Sequence, residues 1–177
     1  PVVSLNAGEI DIQSSGDNGG LLRVYAPTSL AIADAVVVRT LSTTPGTAGE
    51  VDLTQASFEI GGNLSVARLQ GFLAEGRVNL TALTEMRVSA PLTFAAGDLS
   101  LRSRRNLFID STISATGSSR LFLEDGRASS PPGGGAPHFV EYYGTYFKPT
   151  ADGRGYLGKV EFGGRTGAGV VNINGAG

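Results

Sequence analysis

The sequence predicts an all-β protein, a right-handed parallel β-helix (β-solenoid) of about five coils, each with about 21 residues and three short strands. Three observations predict this fold: a repeat of short apolar triplets, 26 glycines without a Gly-X-Y period, and charged residues at only 17% of the 177 positions. Soluble domains usually contain ~25% charged residues. Small polar residues must therefore fill the outward positions, which is typical of repetitive β-proteins. We expect a single domain, residues 1–177, with an insertion at residues 126–158.

The repeat is clearest when residues 76–96 are aligned with residues 97–117, because the two segments match without a gap. Each segment contains three triplets in which two apolar residues flank a polar or small one. The matched pairs are Val78 and Leu99, Leu80 and Leu101, Met86 and Leu107, Val88 and Ile109, Leu92 and Ile113, and Phe94 and Ala115. Alternation with a period of two predicts strands with one buried face. Stacked coils would pair equivalent strands in parallel around one apolar column.

The same six-position template fits other parts of the chain. An ungapped match 56 residues upstream consists of Leu22, Val24, Leu30, Ile32, Val36 and Val38. A further match that needs a one-residue gap consists of Val51, Leu53, Phe58, Ile60, Leu64 and Val66. Ile10 and Ile12 belong to a partial first coil. Residues 67–75 are more apolar than other connections and are predicted as a helical turn or an extra strand.

A fifth coil opens with Leu121 and Leu123, and its other two triplets appear only after the insertion. Those triplets are Val160/Phe162 and Val171/Ile173. Both ends of the insertion at residues 126–158 are therefore expected to meet near one corner of the solenoid. An insertion of this length projects from the rod or folds back over one face.

The insertion holds the candidate contact residues, because six of the chain's thirteen aromatic residues lie between positions 139 and 156. The residues selected are Phe139, Tyr142, Tyr143, Tyr146 and Phe147. They could stack on sugar rings or anchor a partner, since aromatic side chains offer large rigid contact areas. The interpretation we favour is that the stretch packs on the solenoid and shields a strand edge, with Phe139 and some of the tyrosines buried. Residues 133–135 are expected to be mobile.

Catalytic and metal-binding constellations are missing from the sequence. The chain has no cysteine, and His138 has no evident nucleophile or metal partner. Glycosidases on β-helices need paired carboxylates on one face, but the outward rows predicted here are mixed. One row comprises Asp52, Asn79, Ser100 and Phe122, and the other comprises Glu59, Arg87, Phe108 and Glu161. We expect no enzymatic activity, no cofactor and no metal.

The charge balance argues against a nucleic-acid partner. Net charge is −2 and no Lys/Arg-rich block is present. Arg102, Arg104 and Arg105 form the one basic cluster in the sequence, and a surface turn with solvated side chains is the simpler interpretation. The charged pairs of the second outward row should likewise be solvated and contribute little to stability.

Residues 97–117, GDLSLRSRRNLFIDSTISATG, resemble the repeat of filamentous-haemagglutinin-like exoproteins, and residues 158–177 are weakly similar to segments of those proteins. The resemblance implies a β-helical rod that is exported by two-partner secretion, through an outer-membrane transporter, to the bacterial cell surface. It also implies a role in adhesion, biofilm formation or contact-dependent inhibition. The asparagine-rich motif of the family's secretion domain is not present, so an interior rod segment or a diverged lineage is expected.

The function expected from the sequence is therefore a structural or adhesive rod segment of a large secreted bacterial surface exoprotein. Two alternatives are a self-assembling extracellular fibre subunit and a carbohydrate-active β-helix enzyme with its site under residues 126–158. The expected partners are neighbouring coils of the same exoprotein or copies of the chain, a surface glycan or receptor, and the transporter during export.

Overall fold

A computed structural model describes residues 2–13, 19–41, 48–125, 138–143, 146–150, 159–162 and 170–174. Most of these residues lie in strands, and one α-helix is present in the described part of the chain. The helix is α1 (Val66–Glu75). The strands are β1 (Val2–Leu5), β2 (Gly8–Asp11), β3 (Leu21–Ala26), β4 (Ser29–Ile32), β5 (Val36–Arg39), β6 (Gly49–Ile60), β7 (Gly76–Val88), β8 (Leu92–Phe94), β9 (Asp98–Ser103), β10 (Asn106–Ile109), β11 (Thr112–Thr116), β12 (Arg120–Asp125), β13 (His138–Tyr143), β14 (Tyr146–Thr150), β15 (Lys159–Phe162) and β16 (Val170–Asn174). None of the helical structure described is long and apolar enough to cross a membrane.

The strands form one large sheet and three small ones. The large sheet has the order β14-β13-β12-β9-β7-β10-β15, and β6 also pairs with β7 and with β3. The small sheets are β1–β4, β2–β5 and β16–β11–β8. Pairing is parallel except where β13 joins β12 and β14 joins β13. The prediction of a mostly β protein with parallel pairing is confirmed.

The register of the parallel pairs follows the sequence repeat. Val24, Leu53, Leu80, Leu101 and Leu123 occupy one row across β3, β6, β7, β9 and β12. The last four of these side chains are completely buried. The late triplets also fall into place, because β15 pairs with β10 and β16 with β11 at the predicted positions. Inward residues of all four sheets meet in a single apolar core. Most of them are buried in it, and the partly buried ones pack against it.

Two predicted triplets merge into one long strand in both β6 and β7. The chain passes from one triplet to the next without leaving the sheet, so these segments contain fewer and longer strands than predicted. The one-residue gap seen in the sequence appears as a register shift between Gln55 and Ser57. The Ser57 and Thr84 hydroxyls lie 2.8 Å apart beside this shift and join the two strands.

The prediction that Leu64 and Val66 form a strand is wrong. Leu64 makes only a single bridge to Ile60, and Val66 begins α1. The helix forms because the Ser65 hydroxyl accepts a hydrogen bond from the Arg68 N–H. The buried residues Leu69, Phe72 and Leu73 then follow at helical spacing. Two alternating apolar residues were too short a pattern to separate a strand from the start of a helix.

The side chains of α1 bind backbone groups at the edges of two sheets. The Arg68 guanidinium donates hydrogen bonds to the carbonyls of Val36 and Ala33, at the β5 edge. Gln70 Nε2 donates to the Thr93 carbonyl of β8 at 2.7 Å. The Glu75 carboxylate accepts hydrogen bonds from the N–H groups that follow β5, at Thr40 and Leu41.

The helix therefore lies between β5 and β8 in the place where a further strand would pair. A pairing strand would satisfy the edge carbonyls and N–H groups through its own backbone. Here three polar side chains perform that task. Arg68 is the most buried of them, at 8% exposure, and its guanidinium also lies 5.5 Å from the centre of the Phe72 ring.

Replacing Arg68 tests this interpretation. Arg68→Met keeps the aliphatic length but removes the donors, so we expect the free energy of unfolding to fall by about 2–3 kcal/mol because buried carbonyls lose their partners. Arg104→Met is the control, since Arg104 is exposed. Urea unfolding of both variants gives the comparison. Equal midpoints for the two would contradict the proposed edge-capping role.

Candidate functional site

A groove crosses the outer face of the large sheet, where β3, β6, β7, β9 and β12 lie side by side. Its cavity volume is about 470 Å³. The strands present their apolar residues to the core, so the groove is built from the alternate, outward positions. These positions fall into rows that run across the strands.

The floor row of the groove comprises Arg23, Asp52, Asn79, Ser100 and Phe122, which are register partners from strand to strand. The sequence predicted four of these five in one row, and that alignment is confirmed. Ser100 is only 7% exposed although it lies at an outward position. Its Oγ has no hydrogen-bond partner among the residues that the structure describes.

A second row, the charged rail, comprises Glu50, Arg77, Asp98 and Arg120. The sign of the charge alternates from strand to strand. The Arg77 guanidinium lies 3.7 Å from the Glu50 carboxylate and 3.9 Å from the Asp98 carboxylate. Asp98 also accepts two hydrogen bonds from Arg120. The sequence reasoning missed this row, although the same template places it two residues before the floor row.

Further ion pairs complete the groove's charge balance. Arg23 Nε lies 2.8 Å from Asp52 Oδ2, and Arg102 Nε lies 3.5 Å from Glu124 Oε2. Four arginines and three acids line the groove, and Glu124, the fourth acid of these pairs, lies beside it. The groove is therefore close to neutral. Arg102 was predicted as a merely solvated residue, but it also lies over the Phe122 ring at 5.3 Å.

The other outward row predicted from the sequence aligns Glu59, Arg87, Phe108 and Glu161 as expected. Its charges are less solvated than predicted, because the Arg87 side chain is only 11% exposed. Arg87 binds the carboxylate of Asp110, itself 6% exposed, and also Glu85 at 3.1 Å.

The environment of Arg87 favours its charged form. Burial lowers the pKa of the guanidinium, but hydrogen bonds and the negative charges of Glu85 and Asp110 outweigh burial and raise the pKa above its ordinary value. The Phe108 ring centre lies 4.5 Å from the guanidinium carbon. Asp110 was missed because it follows β10 at a turn, outside the strand template. The charged groups of this cluster bind one another, so its role is to stabilise the fold.

The five aromatic candidates lie on the two antiparallel strands. Phe139, Tyr142 and Tyr143 lie on β13, and Tyr146 and Phe147 lie on β14. The strands place Tyr142 opposite Phe147 and Tyr143 opposite Tyr146. The two strands form a hairpin, and β13 pairs with the edge of β12. The burial of these side chains, and the predicted mobility of residues 133–135, lie outside the described residues.

In the described ranges, no group of three or more acidic or histidine side chains is placed to hold a metal ion. The single histidine, His138, begins β13. The carboxylates of the groove are instead each bound to an arginine. The arrangement offers polar side chains, an aromatic ring and paired charges, which are the elements of a binding surface.

Comparisons with known proteins provide no family for this chain. The resemblance of residues 97–117 to filamentous-haemagglutinin-like repeats therefore stays a prediction, and functional inference rests on the geometry of the sheets and the groove. No family model matches the chain, and no curated protein and no solved structure is significantly similar to it.

Proposed function

We propose that the chain is a right-handed parallel β-solenoid segment that serves as a structural and adhesive rod in a large secreted bacterial surface exoprotein. In this arrangement the large sheet supplies two walls of the solenoid. The small sheets, with α1 between β5 and β8, supply the remainder. The chain would pass once around the core for every two to three short strands.

The observation that carries the proposal is the position of β7 between successive passes of the chain. Its first half pairs with β6 on one side and β9 on the other, and its second half pairs with β6 and β10. The partners of Leu80 are Leu53 and Leu101, which lie 27 residues before and 21 residues after it. Parallel pairing on both sides of β7 supports stacked coils, and the longer of the two intervals contains α1.

The rod function follows from this stacking. Each coil contacts only its neighbours, so length is added without changing the core, and a binding region can be held far from the cell. Backbone hydrogen bonds run along the rod between coils and resist local opening. The adhesive role is taken from the family resemblance described above.

The hairpin β13–β14 disfavours the alternative of a self-assembling fibre at this wall. An exposed strand edge is what an end-to-end assembly would use. The β12 edge is instead paired from Arg120 to Asp125 with the antiparallel strand β13. Parallel addition of another copy to β12 would first have to displace that hairpin.

The solenoid geometry is tested with engineered cysteines, since the native chain has none. Thr54 pairs with Thr81, and Thr93 with Ser114. Neighbouring strands lie ~4.8 Å apart, within the ~4.4–6.8 Å Cα separation of disulfides. We expect each matched cysteine pair to oxidise within one chain, and the mismatched pair of Thr54→Cys with Ser114→Cys to remain reduced. Failure of both matched pairs would contradict the stacking.

The surface role is tested in bacteria that produce the full-length protein. An antibody against residues 48–125 should label intact cells, and protease treatment of intact cells should remove the epitope. Deleting the segment in frame should shorten the surface fibre and reduce cell attachment. An epitope that is reached only after lysis would refute the proposal.

A further inference from the structure

We propose that the groove on the outer face of the large sheet binds an uncharged linear oligosaccharide. This inference goes beyond the rod function, which would stand for a rod without a ligand. It rests on the floor row and the charged rail defined above, and on the polar groups in these two rows that a ligand can bind.

The sheet restricts the groove's ligand to one that is recognised by side chains. The N–H and C=O groups of β7 and β9 are engaged by parallel neighbours on both sides. An extended peptide that binds by adding a strand would need a free edge, and these two central strands offer none among the described residues. A ligand must therefore use hydroxyl, amide, guanidinium and ring groups.

The charged rail disfavours a charged ligand. The Asp98 carboxylate is held between Arg77 and Arg120, and Arg77 also faces Glu50. A polyanion would have to displace these carboxylates from their arginines, and a polycation would have to displace the arginines. An uncharged polar ligand can instead accept from and donate to the paired groups without separating them.

The Ser100 hydroxyl indicates where such a ligand binds. A buried hydroxyl without a partner is rare in folded proteins because it has lost its hydrogen bonds to water. Ser100 Oγ is in this state in the groove floor, between Asn79 and Phe122, and a ligand reaches it when one of these neighbouring side chains moves aside. Asn79 lies beside it on the next strand and donates to Glu50 Oε1 at 2.7 Å. A sugar hydroxyl, which both donates and accepts, matches this site.

The shape and the aromatic end of the groove agree with a sugar chain. Phe122 ends the floor row and lines the groove, and its ring, which already contacts the Arg102 guanidinium, adds apolar surface to this end of the site. The floor row crosses five strands, so its length is about 19 Å at ~4.8 Å per strand. That length suits a linear chain of several rings better than a single monosaccharide.

The test uses the full chain labelled with ¹⁵N and four neutral hexasaccharides, of β-1,4-glucan, α-1,4-glucan, β-1,3-glucan and chitin, with hexagalacturonate as the acidic probe. We expect at least one neutral hexamer to shift amide signals of β6, β7 and β9 in a saturable manner. Ser100→Ala should weaken that affinity at least fivefold. The same variant should keep or raise the melting temperature, because it removes an unpartnered buried hydroxyl.

Two further variants make the test decisive. Asn79→Ala should also weaken binding, whereas Thr93→Ala, on the separate sheet of β8, should bind as the parent does. A purely structural role for Ser100 would lower the melting temperature and leave affinity unchanged. The proposal is overturned if no neutral hexamer binds, if only hexagalacturonate binds, or if Ser100→Ala and Asn79→Ala bind as tightly as the parent. None of those results would bear on the rod function.

Discussion

Leu101→Asp is expected to unfold the chain. Leu101 is completely buried, and its row partners on β7 and β12, Leu80 and Leu123, are completely buried too. A carboxylate at this position meets only apolar side chains, and we expect a loss of at least about 5 kcal/mol. Such a loss equals the entire stability of many domains. Far-UV circular dichroism and a thermal melt measure it.

Two control variants separate charge burial from other effects at this site. Leu101→Met nearly conserves volume and should lose less than about 1.5 kcal/mol. Thr93→Asp introduces the same carboxylate at an exposed position of β8 and should change stability by no more than about 0.5 kcal/mol. If Leu101→Asp melts at the temperature of the parent, position 101 does not face the core.

Gly76→Ala is expected to have the second largest effect. Gly76 ends α1 and begins β7 with a φ of 139°, which residues with a side chain rarely adopt. An added Cβ would lie 2.4 Å from the carbonyl oxygen of Gly49 and 2.8 Å from its nitrogen. Because both are backbone atoms of the paired strand β6, neither can move aside cheaply. Backbone strain and overpacking together should cost about 3–5 kcal/mol.

Gly71→Ala is the matched control, since it makes the same change five residues earlier. Gly71 lies within α1, is exposed, and would place its Cβ with no atom within 4 Å. Alanine favours a helix over glycine by ~0.5–1 kcal/mol, so this variant should be more stable than the parent. Urea unfolding of both variants should give opposite signs. A destabilised Gly71→Ala variant would indicate that α1 is not helical there.

The strand pairing could be predicted because the repeat encodes it directly. Val78 and Leu99 were aligned by residue class alone, and they are register partners in the structure. The helix α1 could not be predicted with the same clarity, since residues 67–75 are too short a stretch to distinguish a helix from an extra strand. Its role at the sheet edges depends on Arg68 reaching carbonyls that lie more than thirty residues away in sequence, at Val36 and Ala33.

The groove was predictable only in part. The floor row follows from the template, but the importance of Ser100 depends on its burial, which a sequence pattern does not report. The charged rail follows from the same template at positions 50, 77, 98 and 120, but its alternating signs do not match the paired carboxylates by which a catalytic row is recognised. The partner of Arg87 was hidden because Asp110 comes from a turn, where the period of two no longer applies.

Because α1 takes the place of a strand, we expect the chain to open as two cooperative units. Among the described residues, β1 pairs only with β4 and β2 only with β5, and β3 is the one strand before residue 42 that pairs with the rest of the chain, through β6. Hydrogen bonds from side chains such as Arg68 take the place of a second ladder of backbone hydrogen bonds. Each of these side-chain hydrogen bonds can break without the others. Amide protons in residues 2–13 and 19–41 should therefore exchange with solvent through partial opening, whereas those of β7 and β9 should exchange only when the whole molecule unfolds.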